Sequence, residues 1–167
     1  YYFMSLPAVV RAFVFNPNGQ ILMTKHKKEA PWVLPGGHVE AWESLNEAMI
    51  RELQEEFGLE ARFFDIDRDE ILRHKGRKLV HIALPITSYE LSYTNKEWKD
   101  KSRTESIFLM ETDFIDQNNK NLKIQTEEIF EYRWFDADDI LTMKPNIETW
   151  DFIIDMLERI VGSEDEE

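Results

Sequence analysis

Residues 43–56 place five charged side chains at spacings that could hold a divalent cation: Glu43, Arg51, Glu52, Glu55 and Glu56. On a helix, positions three and four apart share a face, so Glu52 lies one turn before both Glu55 and Glu56. Crowded carboxylates repel one another unless positive charge compensates them. Mg²⁺ prefers oxygen ligands and completes its shell with water and substrate phosphates. The spacing predicts an Mg²⁺ site, which Mn²⁺ could also fill; the alternative is a solvated acidic helix face.

The elements around these residues fit that interpretation. Ser44 and Glu47 have the spacing of a capping box, which predicts a helix from Ser44 to Phe57 with Gly58 as its C-terminal cap. Arg51 lies four residues before Glu55 and could hold it by a charge-assisted hydrogen bond. The helix should bury the apolar positions that recur at helical spacing, Leu45, Ala48, Met49 and Leu53.

The rest of the chain predicts a sheet and a second helix. Alternating apolar residues predict a hairpin of Ala8–Phe15 and Gln20–Lys25 around a turn at 16–19. An amphipathic pattern from Ile147 to Val161 predicts a C-terminal helix. The polar stretch Ser92–Glu105 is interpreted as an insertion or excursion. The further predicted strands are Trp32–Leu34 (stopped by Pro35, Gly36 and Gly37), Ala61–Arg73, Lys78–Leu91, Ile107–Thr112 and Tyr132–Phe135.

Composition predicts one globular domain over residues 1–162, with an acidic disordered tail at 163–167. No apolar run is long enough to cross a membrane, and the absence of cysteine fits a reducing compartment. We therefore expect a cytoplasmic protein. The net charge of −13 disfavours charge-driven binding to nucleic acid. It allows a small phosphorylated substrate if a cation bridges the negative charges.

The segment 37–59 resembles the Nudix box. It reads Gly37, five residues, Glu43, seven residues, then Arg51, Glu52, Leu53, any residue, Glu55, Glu56, any residue, Gly58 and Leu59, so all nine specified positions are filled. The resemblance implies an α/β fold, a Nudix-type α/β/α sandwich with a mixed β-sheet. It also implies hydrolysis of a nucleoside diphosphate linked to another moiety, by attack of a metal-activated water on phosphorus.

The resemblance assigns roles at the matching positions. Glu55 and Glu56 correspond to a metal-binding pair, and Glu52 to a carboxylate that binds metal or activates water. Arg51 and Glu43 correspond to residues that orient this cluster, and the carbonyl of Gly36 to a further metal ligand. Members of the family often use one more glutamate from outside the box, and Glu128 corresponds to it, with Glu127 and Glu131 as neighbours that could substitute. An ordinary acidic residue on the surface of a strand edge is an equal alternative for Glu128.

The substrate is less well defined. The family positions that mark ADP-ribose and dinucleoside polyphosphate hydrolases hold His74 and Arg77, which favours nucleoside triphosphates or related small nucleotides. The alternatives are removal of pyrophosphate from RNA 5′ ends and a catalytically silent nucleotide sensor. Such sensors usually carry a DNA-binding module, and we expect no room for one in 167 residues. An isomerase of this fold would need a catalytic cysteine, and the chain has none. Oligomeric state is left open, a homodimer included.

Other candidates for substrate contact have simpler explanations. Trp32 and Trp42 flank the glycines and could stack on a base, but packing is favoured for Trp32 and an exposed position for Trp42. His38 is interpreted as a solvated loop residue, and the basic residues 73–78 as a hairpin tip.

Overall fold

The computed structural model describes residues 6–64, 71–74, 77–80, 82–116, 121–142 and 150–162, with the backbone alone for 71–74, 77–80 and 150–152. Twelve elements follow in this part of the chain. They are β1 (Ala8–Phe15), β2 (Ile21–Lys25), β3 (Gly36–His38), α1 (Leu45–Phe57), β4 (Arg62–Phe63), β5 (Ile71–His74), β6 (Arg77–Val80), β7 (Thr87–Thr94), β8 (Asp100–Glu111), β9 (Glu131–Phe135), α2 (Ala137–Thr142) and α3 (Trp150–Gly162).

Seven of these strands form one mixed sheet, in which five follow the order β4-β8-β1-β2-β9 and β3 and β7 pair beside them. The central pair, β1 and β8, is parallel over the full length of β1, whereas the other pairings are antiparallel. Strand β3 lies beside the first half of β1, and β7 lies beside β8. Strands β5 and β6 form a separate two-stranded sheet.

Two apolar cores lie on opposite faces of the sheet. Because side chains alternate along a strand, Val10, Ala12 and Val14 of β1 pack with α1, and Phe13 packs with α3. This arrangement is the α/β/α sandwich with a mixed sheet that the sequence predicted. No helix in the described ranges is long and apolar enough to cross a membrane.

Helix α1 has the predicted ends. Ser44 Oγ accepts the N–H of Glu47 at 3.1 Å, and the Glu47 carboxylate accepts the N–H of Ser44 at 2.8 Å. At the other end Gly58 adopts the left-handed conformation, with φ 60°, and its N–H bonds back to the last turn. These caps satisfy backbone groups that a helix end leaves unpaired. They determine where the acidic second half of the helix lies.

Several predicted elements have different bounds. Val33 makes an isolated bridge to Thr24, and the strand follows at Gly36–His38, so the glycines continue the sheet. Ala61–Arg73 and Lys78–Leu91 are not two long strands; they contain the short strands β4 to β6 and the start of β7. The prediction for residues 1–5, the final tail and the start of the last helix at Ile147 lies outside the described residues. Helix α2 was not predicted.

Ser92–Glu105, interpreted as an insertion or excursion, forms the end of β7, the start of β8 and the turn between them. Pairs of side-chain hydroxyls cross the hairpin of β7 and β8. Ser88 bonds Ser106 at 2.8 Å, and Ser92 bonds Ser102 at 2.9 Å. Cross-strand polar pairs stabilise a sheet without apolar burial, so hydropathy did not reveal the strands.

Candidate active site

Two glycines in β3 bring the backbone close to the acidic helix. Gly36 has φ 147°, and a Cβ there would overlap the carbonyl of Val10. A Cβ on Gly37 would lie 2.5 Å from the Glu52 carboxylate. A side chain at either position would therefore displace the strand or the carboxylate. This explains why the site has glycine where the sequence suggested a chain break.

Arg51 connects the acidic residues of the box. Its Nε and Nη2 donate to the two oxygens of Glu43 at 2.7 and 3.0 Å. Its Nη1 donates to Glu52 and to Glu55, each at 3.0 Å, and Nη2 also donates to the carbonyl of His38 at 3.0 Å. A guanidinium has five N–H donors, and Arg51 uses all five. It holds the cluster in place and has no donor left for a substrate.

Glu52 and Glu56 are buried, with 8% and 3% of their surfaces exposed. Burial raises the pKa of Glu52, and a hydrogen bond from Arg51 partly offsets this. Burial, together with the charges of Glu52 and Glu128, raises the pKa of Glu56 to about 8. Within the described part of the chain, Oε2 of Glu56 is buried and has no hydrogen-bond partner. A buried polar atom of this kind is uncommon and indicates a role in binding or catalysis.

A turn before β9 carries Glu128 to the same place. The N–H of Gln125 bonds the carbonyl of Glu56 at 2.8 Å, which attaches the turn to the end of α1. The Glu128 N–H then bonds the Gln125 carbonyl at 3.0 Å, and His26 Nδ1 lies 3.0 Å from the Glu128 carbonyl oxygen. The charge of Glu128 acts on both Glu52 and Glu56. The structure therefore brings Glu128 to the box, on a turn instead of a strand edge.

The box carboxylates are not equivalent in their surroundings. The Glu55 side chain is 56% exposed and pairs with Arg51, whereas Glu56 points into the protein. In the described residues, no three side chains of Asp, Glu, His or Cys are close enough to hold a metal ion on their own. A cation here would need backbone and substrate oxygens in addition, which is how Mg²⁺ is commonly bound.

One neighbouring cluster was missed from the sequence. Glu105, 2% exposed, accepts Arg103 Nε at 2.8 Å and Tyr89 Oη at 2.5 Å, and lies 3.7 Å from Nε of Arg11. Arg11 is opposite Gly36 in the register of β1 and β3. The available signal was a single charged residue within the otherwise apolar segment 8–15.

The other candidates for substrate contact were two tryptophans, His38 and the basic segment 73–78. Of these, the described contacts join His38 alone to the carboxylates, through its backbone carbonyl and Arg51. Trp42 and Trp98 are exposed, both at positive φ, and Trp98 lies at the tip of the β7–β8 hairpin. Trp32 packs edge-on against Phe135, in agreement with packing. The His38 side chain is exposed. The side chains of the basic segment 73–78 lie outside the description.

Two curated proteins match short parts of this chain. A Bacillus subtilis (strain 168) protein named "Putative 8-oxo-dGTP diphosphatase" is 48% identical over 48 residues, which is 29% of this chain and 32% of that protein. The m7GpppN-mRNA hydrolase NUDT17 of Xenopus laevis is 47% identical over 55 residues, 30% of this chain and 19% of that protein. The chain thus matches less than a third of either relative.

Solved structures and a family model match nearly the whole chain. The MutT protein from Methanosarcina mazei Go1 has a TM-score of 0.62 at 18% identity, covering 99% of this chain and 100% of that one. The E. coli dihydroneopterin triphosphate pyrophosphohydrolase has a TM-score of 0.60 at 16% identity, covering 93% and 95%. At these identities they show a shared fold. The model of the NUDIX domain matches residues 5–155, and the chain therefore belongs to the Nudix family.

Proposed function

We propose that this protein hydrolyses a pyrophosphate bond in a nucleoside diphosphate linked to another group, and that a nucleoside triphosphate or related small nucleotide is the substrate. The observation that carries the proposal is the unpartnered Oε2 of buried Glu56, beside Glu52 and Glu128. Three acidic groups here act on one another, and Arg51 has no donor left for Glu56. Such a site favours a cation and, through it, a phosphorylated ligand.

The residues fit a hard divalent cation. Glu56 offers a carboxylate oxygen that has no hydrogen-bond partner, and Glu52 offers a second carboxylate. The carbonyl of Gly36, in β3, is a further candidate ligand. Glu55 could join them by releasing Arg51. When bound, Mg²⁺ or Mn²⁺ would lower the pKa of a coordinated water and neutralise charge on phosphate oxygens. The chain has no cysteine, and the described residues contain no histidine cluster that would support a zinc site.

The protein residues would then orient and deprotonate the attacking water. Glu52 and Glu128 are the candidates for the base, and the raised pKa of Glu52 would bring its proton affinity closer to that needed at neutral pH. Arg51 and Glu43 would fix the position of Glu52 through the hydrogen bonds described above. Burial would limit the movement of the carboxylates and strengthen their interaction with positive charge.

Net charge supports a small nucleotide as substrate, and the partial relatives support the type of bond that is cleaved. A chain of net charge −13 does not favour binding to the backbone of an RNA strand. One relative is named for 8-oxo-dGTP and the other for capped mRNA. Both substrates contain a chain of phosphates attached to a nucleoside, so the proposed bond is common to them.

The decisive experiment is an assay of the purified protein with Mg²⁺ and a panel of substrates. The panel contains ordinary and oxidised nucleoside triphosphates, nucleotide sugars, dinucleoside polyphosphates, and triphosphorylated and capped RNA. We expect a nucleoside triphosphate to be cleaved to the monophosphate and pyrophosphate. Cleavage of RNA alone would overturn the substrate proposal. Binding without any turnover, with each divalent metal tried, would overturn hydrolysis in favour of a sensor.

Substitution tests the site directly. We expect Glu56→Gln and Glu55→Gln to lower kcat roughly 100-fold or more, because each loses a charged metal ligand, while circular dichroism shows a folded protein. The matched control is Glu60→Gln, an exposed glutamate just past the same helix, which should keep kcat within about twofold. Equal activity of all three variants would contradict the assignment.

A further inference from the structure

Two guanidinium groups lie close to the acidic site, and they differ in how many donors remain. Arg51 uses all five N–H groups on Glu43, Glu52, Glu55 and His38. Arg11 makes one hydrogen bond to the described residues, from Nη1 to the carbonyl of Leu34 at 3.0 Å. Its Nε is 3.7 Å from Glu105, too long for a hydrogen bond. The Arg11 guanidinium therefore has N–H donors available for a ligand, whereas every N–H donor of Arg51 is used within the protein.

Arg11 is also held at the edge of the carboxylate cluster. It pairs with Gly36 in the sheet, and its positive charge acts on Glu56. The Glu105 carboxylate behind it is buried and bound by Arg103 and Tyr89. The Arg11 side chain is 17% exposed, so the guanidinium lies in a protected position and still reaches solvent.

The charges of this network leave a surplus. Arg11 and Arg103 carry two positive charges, whereas Glu105 supplies one negative charge and Tyr89 is neutral, since burial first and then the bond to Glu105 raise its pKa. The network is therefore positive by one unit in a protein whose net charge is −13. This positive charge borders the proposed cation site. A phosphate held at Glu56 through a cation would have its other oxygens near Arg11.

We propose that Arg11 binds the phosphate chain of the substrate, with the carbonyl of Leu34 and the negative charge of Glu105 holding its guanidinium in place. The inference rests on the proposed function for the location of the substrate. Arginine suits this role because its planar fork can donate two hydrogen bonds to one phosphate. Arg11 would supply positive charge to the phosphates in addition to the cation, which the saturated Arg51 cannot do.

The test compares two arginines that share one carboxylate. Arg11→Gln and Arg103→Gln each remove a partner of Glu105, but only Arg11 is coupled to Glu56. Dissociation constants for inorganic tripolyphosphate and for a non-hydrolysable α,β-imido nucleoside triphosphate are measured with Mg²⁺ by calorimetry. KM and kcat are measured on the best substrate. We expect Arg11→Gln to weaken both ligands and raise KM roughly 10- to 100-fold.

Arg103→Gln should change these constants less than about threefold, although it should lower stability about as much as Arg11→Gln does. Arg11→Lys should recover part of the affinity that Arg11→Gln loses. Equal effects of Arg11→Gln and Arg103→Gln would overturn the proposal, because the network would then be structural. A loss seen with the nucleotide but absent with tripolyphosphate would overturn it in favour of a base contact. If the wild type binds tripolyphosphate through Arg11 but cleaves nothing, the proposed hydrolysis fails and this inference stands.

Discussion

Glu55 and Glu56 are adjacent in the chain but have opposite environments. One residue turns a helix by about 100°, so Glu55 faces solvent and Arg51 while Glu56 faces the protein interior. The pKa of Glu56 rises to about 8, chiefly because of burial. A carboxyl group that is protonated in the folded protein and ionised in the unfolded chain lowers stability as pH rises between the two pKa values.

This linkage predicts how pH affects the metal-free protein. The folded pKa of Glu56, about 8, lies above its model value of 4.5. Its contribution is therefore fully present below pH 4.5 and lost by pH 8. We expect Glu56→Gln, measured by urea unfolding in a chelator, to match the wild type near pH 4.5 and to exceed it at pH 8 by up to roughly 4 kcal/mol. Added Mg²⁺ should stabilise the wild type at pH 8 and leave the variant unchanged. A pH-independent difference would show that the carboxyl does not titrate in this range.

At the scale of elements, the sequence predicted those whose ends have local chemical signals. The capping box and Gly58 give the bounds of α1, and the turn at 16–19 gives the hairpin of β1 and β2. Strand β3 was missed because a strand of Gly36, Gly37 and His38 has no apolar pattern; it forms because β1 offers its edge. Glu128 was located through a resemblance, whereas in the structure a backbone hydrogen bond between Gln125 and Glu56 attaches its turn to α1. Such contacts join distant residues and leave no local pattern.

The close approach of β3 to α1 predicts the effect of a single methyl group. Alanine at Gly37 would put its Cβ 2.5 Å from the Glu52 carboxylate. We expect Gly37→Ala to displace Glu52 and lower kcat roughly 100-fold, as measured by steady-state kinetics. The control is Gly19→Ala, because Gly19 has φ 74° and open space around its Cβ position. It should cost about 1 kcal/mol of stability and leave kcat within twofold. If the two variants have the same activity, the contact with Glu52 is unimportant.

At the scale of the whole molecule, the sheet separates two apolar cores, one packed against α1 and the other against α3. The core on the α1 face supports the helix that carries the carboxylates and includes Ile129, next to Glu128. The core on the α3 face includes Ile153 and covers the opposite side of the same strands. Because side chains from one strand point alternately to the two cores, neither core can form without the sheet. The protein should therefore unfold in one cooperative step even though its apolar contacts lie in two clusters.

Matched substitutions in the two cores test this separation. Ile129 and Ile153 are buried to similar extents, with 1% and 2% exposed, and each belongs to a different cluster. We expect Ile129→Val and Ile153→Val each to lower the free energy of unfolding by about 1 kcal/mol. The double variant should lose the sum of the two to within about 0.5 kcal/mol, since residues without shared contacts act independently. Urea unfolding followed by both fluorescence and circular dichroism measures the losses and the cooperativity. A coupling above about 1 kcal/mol would mean that the cores communicate through the sheet, and a substitution on the α3 face could then alter the carboxylates on the other side.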